Sequence, residues 1–468
     1  MQPFDVFTRW RPLPLPSPPS TDPQTQPTPQ EINRIHTKQP NTAHFSTSLT
    51  PPPSTSRDRP WKSDPVFTHV FEGTDTNKPV FDAAVSPILP RVLSGQTCNF
   101  LAYGHSGSGK SHTIIGYDFA HQDEFGLCLA AARDLFEELG RINADRLPGG
   151  GGGQNDELGI GLRMYELRGN SAFDLQNAHC KCHIREGYDG QTHIRGETEV
   201  LDEGRVRVRP IVAKPCWDFD QLKRELLAGL ELRATGTSTI HDQSSRTHAV
   251  LEIEIVTREL LEARDAVVER QSELVPVAKR ATDVYLEENM KGFVQAEDGK
   301  YVPNPEYQVN QTRIDKAEAK KAEFESFVQK AEDHVNAVFK SSSHPCLGGK
   351  LVFVDLAGSE YYHDKSISAS APRAKPSVQE QREGRQINTD LLALKEVIRA
   401  RALKKGRIPY RSSPLTMVLR GHFEPSGAAE SYTAMILTAS PEATQFAATT
   451  NTLKYGNLVG VASGGKIK

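Results

Sequence analysis

Residues Cys98 to Gly116, CNFLAYGHSGSGKSHTIIG, constrain the fold of this chain more than any other stretch. Cys98 to Tyr103 is a short apolar and aromatic run that reads as a buried strand. It leads into Gly104-His105-Ser106-Gly107-Ser108-Gly109-Lys110-Ser111, which satisfies G-x-x-x-x-G-K-[ST]. Glycines in such a loop let backbone N–H groups curl around a phosphate. Lys110 would reach the terminal phosphates, and the Ser111 hydroxyl would serve Mg²⁺. A helix opening near Lys110 points its positive end at the same place. The competing reading is an ordinary Gly/Ser turn, and the strand-then-loop order speaks against it. The stretch predicts a nucleoside triphosphate site at the end of a buried strand.

Composition narrows the class of partner. The 468 residues carry 56 basic and 59 acidic side chains, a formal net charge of -3, so no global field recruits nucleic acid or a membrane surface. The six cysteines are scattered, and Cys98 falls in the expected buried strand, which suits a reducing compartment better than a disulfide framework. No basic-then-apolar leader opens the sequence and no run approaches 18 apolar residues, so neither secretion nor membrane spanning is expected.

Along the chain, Phe4 to Leu13 alternates as an opening strand. Residues 14–62 are rich in Pro, Ser and Thr, and are expected to be a disordered insertion. A strand at 65–71 and a helix at 78–93 follow, the latter compromised by Pro87 and Pro90. Leu127 to Leu139 and Phe219 to Leu232 read as helices. Gly161 to Tyr165, Cys182 to Ile194 and Ala249 to Val256 read as strands. The run His179-Cys180-Lys181-Cys182-His183 lacks the second pair that zinc spacing requires, so alternating strand residues fit it better than a metal site. Across residues 257–343 the composition shifts to Lys, Glu and Ala, and helical phasing predicts an antiparallel helical insertion with 290–310 as its non-helical connection. Its phase does not run long enough for a dimeric coiled-coil stalk, so a monomer is expected. Leu351 to Asp355 is an apolar strand ending in a carboxylate, where a second Mg²⁺ anchor belongs. Helices at 387–398, 415–419 and 446–458 and a strand at 432–438 complete an α/β pattern. Buried strands between helices predict a central mixed, mostly parallel sheet.

Several separated motifs together carry a family resemblance. Gly104 to Gly116 resembles the kinesin phosphate loop, Ser244-Ser245-Arg246-Thr247-His248 its first switch, and Asp355 to Glu360, DLAGSE, its second switch unchanged. Arg9, Arg11 and Pro12 are similar to the opening R-x-R-P. Glu383-Gly384 with Ile387-Asn388, and Pro409-Tyr410-Arg411 with Ser413, Leu415 and Thr416, resemble the later switch-II blocks. They recur in kinesin order, so the chain is identified as resembling a single kinesin-like motor domain of the P-loop NTPase class over 1–468, with 14–62 and 257–343 as insertions. LLALKEVIRA (391–400), RATG followed by SSRTHAV (233–250) and NTLKYGNLV (451–459) look most like the internal-motor, microtubule-depolymerising branch.

The resemblance implies ATP and Mg²⁺ as cofactors and a microtubule-stimulated ATPase in the cytoplasm, on the microtubule cytoskeleton. It implies a motor or depolymeriser with tubulin as partner, and neither nucleic acid nor membrane. The alternative is a kinesin-derived ATPase or scaffold with weakened tubulin binding. By residue, Arg9, Arg11, Pro12 and His112 would lie by the base, and Gly104, His105, Ser106, Gly107, Ser108, Gly109, Lys110 and Ser111 would hold the phosphates. Ser111, Ser245 and Asp355 would serve Mg²⁺; Ser244 and Gly358 would sense the γ-phosphate; Arg246 and Glu360 would form the closing salt bridge. The chain departs from the pattern at His105, Ser106, His241, Tyr361, Thr389, Asp390, Pro414 and Met417, and the last four are expected to reduce positive charge at the tubulin face.

Overall fold

The structure is a computed structural model that describes residues 4–13, 30–40, 43–51, 58–145, 156–187, 190–235, 246–295, 300–359, 378–424 and 431–463. Its strands in chain order begin with β1 (Phe4–Trp10), β2 (Asn33–Lys38), β3 (Phe45–Thr50), β4 (Trp61–Lys62), β5 (His69–Phe71) and β6 (Thr97–Tyr103). They continue with β7 (Gly159–Arg168), β8 (Ser171–Asp174), β9 (Cys180–Glu186), β10 (Thr192–Val200), β11 (Val206–Pro210) and β12 (Lys214–Cys216). The last are β13 (His248–Val256), β14 (Phe293–Gln295), β15 (Tyr301–Pro303), β16 (Lys350–Asp355) and β17 (Tyr432–Ala439). The helices are α1 (Asn77–Ala84), α2 (Leu89–Val92), α3 (Lys110–Ile114), α4 (Leu127–Ala144) and α5 (Phe219–Thr235). Then come α6 (Arg258–Lys291), α7 (Gln311–Ser341), α8 (Val378–Ala402), α9 (Pro414–Phe423) and α10 (Phe446–Ser463).

The main sheet runs β11-β10-β9-β8-β7-β13-β16-β6-β17-β1-β5, with β12 beside β7. Parallel pairing is confined to the half that carries the phosphate loop, where β6 lies between β16 and β17. From β16 outward through β13, β7, β8, β9, β10 and β11 the pairing is antiparallel, so the expected mostly parallel sheet describes one half only. The central strands are apolar on both faces because both faces are covered. Cys98, Phe100 and Ala102 of β6, with Phe353 and Ile436, pack under α1, α4 and α5. The intervening Leu101 and Tyr103, with Val354 and Leu437, pack under α8, α9 and α10. A period of two thus builds a helix–sheet–helix sandwich.

Local chemistry explains several element ends. Ser413 is extended and its side chain accepts from the Thr416 N–H, while the Thr416 hydroxyl accepts from the Ser413 N–H. This reciprocal cap, with Pro414 at the first helical position, starts α9 where a proline costs no hydrogen bond. The expected helix at 78–93 breaks into α1, a 3-10 turn at Ser86–Ile88 and α2, as its two prolines require.

Two expectations are corrected and a third is filled in. Within 14–62, β2, β3 and β4 form a small sheet with Leu49 buried, so only part of that Pro-rich span lacks described structure. The pattern at 182–194 covers two antiparallel strands, β9 and β10, because a turn at Gly187–Gly190 divides it. The helical insertion folds as the antiparallel pair α6 and α7, and its non-helical connection carries the β14–β15 hairpin. The pair is rooted on the sheet by Leu260, Ala263 and Val338 packing with Val256 and Leu347.

Candidate functional site

The phosphate loop leaves β6 at Tyr103 and enters α3 at Lys110. Gly107 and Gly109 adopt φ values of +74° and +105°, the left-handed region that glycine enters freely, and a Cβ on either would meet nothing within 4 Å. The loop therefore has an open inner face. Its outer face is fixed: a Cβ on Gly104 would lie 2.4 Å from the Thr438 carbonyl oxygen. The Ser108 hydroxyl donates to the His105 carbonyl at 2.8 Å and lies 2.6 Å from Thr438 Oγ1. The Thr113 hydroxyl closes the turn by donating to the Gly109 carbonyl at 2.9 Å.

Lys110 is buried, and its ammonium donates to the carbonyls of Gly104 at 3.1 Å and His105 at 2.8 Å. Burial lowers its pKa to about 8; Asp355 opposes that shift and Arg233 adds to it. Ser111 Oγ donates to Asp355 Oδ2 at 2.7 Å, so the two residues expected at the metal stand together. Arg233 Nη1 reaches the same Oδ2 at 3.2 Å. Asp355 Oδ1 is buried with no hydrogen-bond partner among the described residues. A buried, half-satisfied carboxylate touching a hydroxyl fits a hard divalent cation with oxygen ligands, and the open glycine cradle with a buried ammonium fits phosphates. The residues present suit the Mg·nucleotide that the motif implies.

The second-switch strand end lies directly against this loop. Ser359 N–H donates to the Gly104 carbonyl at 3.1 Å, and a Cβ on Gly358 would come within 2.8 Å of Ser106 N. Ala357 N–H donates to His248 Nδ1 at 3.0 Å, tying the end of the first-switch motif to the second. His248 Nε2 is 3.7 Å from Asp390 Oδ2. Asp390 is only 4% exposed, so it does not add charge to the outer face, contrary to expectation. Arg246 Nη1 lies 3.9 Å from Glu383, which Arg168 also holds at 2.7 Å. Ser244, Ser245, Glu360, His241 and Tyr361 lie outside the described residues.

Of the residues expected at the base, His112 has its ring centroid 5.5 Å from that of Tyr117, and burial plus the charge of Arg9 lowers its pKa to about 4. Arg11 is braced by Glu442 and donates to Ser440 Oγ at 3.2 Å. Pro12 is exposed beside it. Arg9 is buried beside His112, donating to Asn77 Oδ1 and, at 2.9 Å, to Thr113 Oγ1, so it also braces α3. Burial also lowers the His105 pKa, to about 4, which keeps the ring neutral inside the loop.

Sequence reasoning missed Arg233 and Glu166. Arg233 ends α5, and Glu166 on β7 accepts from the Thr247 hydroxyl at 3.0 Å and lies 3.8 Å from Arg233. Arg233 opens the RATG run, which assigns it no partner, and Glu166 belongs to no motif. For Glu166 the available signal was a carboxylate in the mostly apolar run of β7, since a buried charge demands a partner; α5 carries many charges, and nothing in its pattern singles out Arg233.

Comparisons with known proteins bear on this geometry. The family model described as kinesin motor domain matches residues 25–279 and 311–460. Kinesin-like protein KIN-13B of Arabidopsis thaliana is 26% identical over 398 residues, covering 85% of this chain and 40% of that protein. Kinesin-like protein KIF24 of Mus musculus is 24% identical over 393 residues, covering 84% of this chain and 20% of that protein. The chain thus spans less than half the length of either relative. A crystal structure from a study of mutants and activation of the kinesin motor ATPase aligns with TM-score 0.55 at 17% identity, covering 98% of this chain and 99% of that one. This likeness is one of fold. With the family match running through the phosphate loop, β13, β16 and α8, the chain belongs to the kinesin motor-domain family.

Proposed function

We propose that this motor domain binds and hydrolyses Mg·ATP and couples the cycle to a microtubule surface. The observation that carries the reading is the Ser111–Asp355 hydrogen bond at 2.7 Å beside the buried Lys110 ammonium. It joins the phosphate loop to the strand end that leads into the second switch. When bound, Mg²⁺ would neutralise phosphate charge, with Ser111, Ser245 and Asp355 as its residues. Lys110 and the loop amides hold the phosphates; Arg11, Pro12 and His112 flank the base. Gly358 and Ser359 already rest on the loop, so a γ-phosphate placed there competes directly with their contacts. Ser244 and Gly358 then sense it, and Arg246 with Glu360 close around the water, Glu360 passing on its proton.

On the outer face, Lys404, Lys405, Arg407 and Arg411 are exposed around α8 and α9 and offer charge to an acidic polymer such as tubulin. Arg411 pairs with Glu186 at 2.6 Å and Arg420 with the same carboxylate at 3.6 Å. That partial neutralisation favours the second reading, an ATPase or scaffold with weakened tubulin contact. Motility and depolymerisation are both open to the first reading, the latter on the resemblance of 391–400 and 451–459 to the depolymerising branch.

The test is steady-state ATPase against microtubule concentration at two salt levels, with Glu360→Ala and Lys110→Ala. Wild type should be accelerated, more so at low salt. Glu360→Ala should bind ATP and hydrolyse it about 10²–10³-fold more slowly, the cost of one lost transition-state contact. Lys110→Ala should lose nucleotide binding. ATPase without microtubule acceleration or nucleotide-dependent pelleting would leave the scaffold reading.

A further inference from the structure

The α6–α7 pair carries a groove that the described residues leave open. A cavity of about 800 Å³ lies between the second half of α6 and the first half of α7. Val277, Ala281 and Val284 of α6 and Ala317, Phe324 and Phe327 of α7 give it an apolar floor. Ala281 and Val284 are buried, and Phe324 and Phe327 are half-buried with ring centroids 5.5 Å apart. Pro276 stands inside α6 and lines the wall, where it removes one backbone hydrogen bond from the helix.

The rim is cationic, and its cations fall into two groups. Arg205 is held by Glu269 at 3.2 Å, Arg270 by Glu273 at 2.7 Å and Arg313 by Glu287 at 2.8 Å. Arg280, Lys316 and Lys320 are exposed and make no ion pair among the described residues. Glu203 and Glu273 are the carboxylates among the lining residues, so the rim keeps an excess of positive charge over the apolar floor. The family match stops at residue 279 and resumes at 311, so Arg280, Ala281 and Val284 lie in a stretch outside it.

We propose that this groove docks an acidic amphipathic helix from a partner protein. Its apolar stripe, at i, i+3, i+4 and i+7, would lie on Val284, Phe324 and Phe327, and its carboxylates would meet Arg280, Lys316 and Lys320. A helix of roughly 10 Å diameter suits a trough between two helices. Nucleic acid would use the cations but not the aliphatic floor, and a flat membrane does not enter such a trough. The site stands away from the nucleotide: α6 departs from the Val256 end of β13, and the nine residues of that strand separate it from His248. At about 3.3 Å per residue the separation approaches 30 Å. Docking here supplies attachment without touching the phosphate loop, and it is independent of microtubule binding.

The test uses the full chain and a fluorescein-labelled 18-residue helical peptide with Leu at i, i+3, i+4 and i+7 and Glu elsewhere on its exposed face. Fluorescence anisotropy should show saturable binding that weakens with salt. The triple variant Arg280→Glu, Lys316→Glu, Lys320→Glu should weaken it at least about tenfold, as loss of three exposed charge pairs implies. Phe327→Ser should weaken it too, with nucleotide binding and circular dichroism unchanged in both variants. Equal binding of a Lys-for-Glu peptide, or an unaffected triple variant, would overturn the proposal. So would equal competition by single-stranded DNA or anionic phosphatidylserine vesicles, since it would reduce the groove to a general polyanion surface.

Discussion

Lys110 shows at the scale of one residue how the site anticipates negative charge. Its ammonium is buried against two carbonyls, with Asp355 the main favourable charge and Arg233 an unfavourable one, and burial brings its pKa to about 8. A phosphate in the cradle would favour the charged form and raise that value again. Mg·ATP affinity is therefore expected to hold up to about pH 8 and to fall above it, with proton uptake on binding near pH 9. Calorimetry in two buffers of different ionisation enthalpy checks this; binding at pH 9 with no proton uptake would count against it. Stability of the free protein runs the other way. Because the folded pKa is lowered, the unfolded chain binds more protons between about pH 8 and the ordinary lysine value, so this group adds stability as pH rises through that window. Neither effect was visible in the sequence, which places a lysine in a motif but says nothing of its burial. Arg9 makes the same point, since its motif position says nothing of the buried bonds to Asn77 and Thr113 that brace α3.

Among the elements, those with a strong apolar period were legible. β6, β13, β16 and β17 are buried throughout or nearly so, and each is a run dominated by apolar, aromatic and small residues. The small sheet of β2, β3 and β4 was not, because Pro, Ser and Thr composition hides strands such as FSTSLT whose stability comes from Leu49 and its tertiary neighbours. The hairpin of α6 and α7 was legible as helices, but its root was not. Leu260, Ala263 and Val338 complete a cluster with Val256 and Leu347, so the first and last turns of the insertion belong to the core. Excising 267–333 with a Gly/Ser bridge is expected to keep nucleotide binding and a cooperative thermal transition while losing peptide capture. Excising 258–343 should instead cost several kcal/mol, on the scale of about 2–5 kcal/mol for emptying one large core position. Thermal melts of the two deletions decide, and equal midpoints would contradict the assignment of the root to the core.

Across the whole molecule, net charge says little about stability, because the decisive charges are inside. Glu252 and Glu254 on β13 are 6% and 3% exposed. Burial alone would raise their pKa values, yet for Glu252 the charges of His422, Lys350 and Arg163 outweigh it, and for Glu254 those of Lys350, Arg264 and Arg163 do. Both carboxylates are held below the usual range. Their contribution is complete above the unfolded glutamate value near 4.3 and declines as pH falls below it. The melting temperature should therefore drop steeply between about pH 5 and 3. Glu254→Gln should melt lower at pH 7, and its melting temperature should fall less over that acid range; parallel curves for the two proteins would show that the brace contributes nothing.

The hairpin also bears on how the sheet is assembled in time. β13 and β16 are adjacent, with Ala249 opposite Asp355 and Glu254 opposite Lys350, yet the whole of α6 and α7 separates them in the chain. Helices form in microseconds or less, whereas long-range strand pairing waits on loop closure. Each doubling of a closed loop costs about 0.6 kcal/mol, so a hairpin that folds first shortens the effective tether and spares roughly 2 kcal/mol of the entropy of joining the two strands. The insertion that carries the groove thereby serves as a folding staple for the two strands whose far ends carry His248 and Asp355.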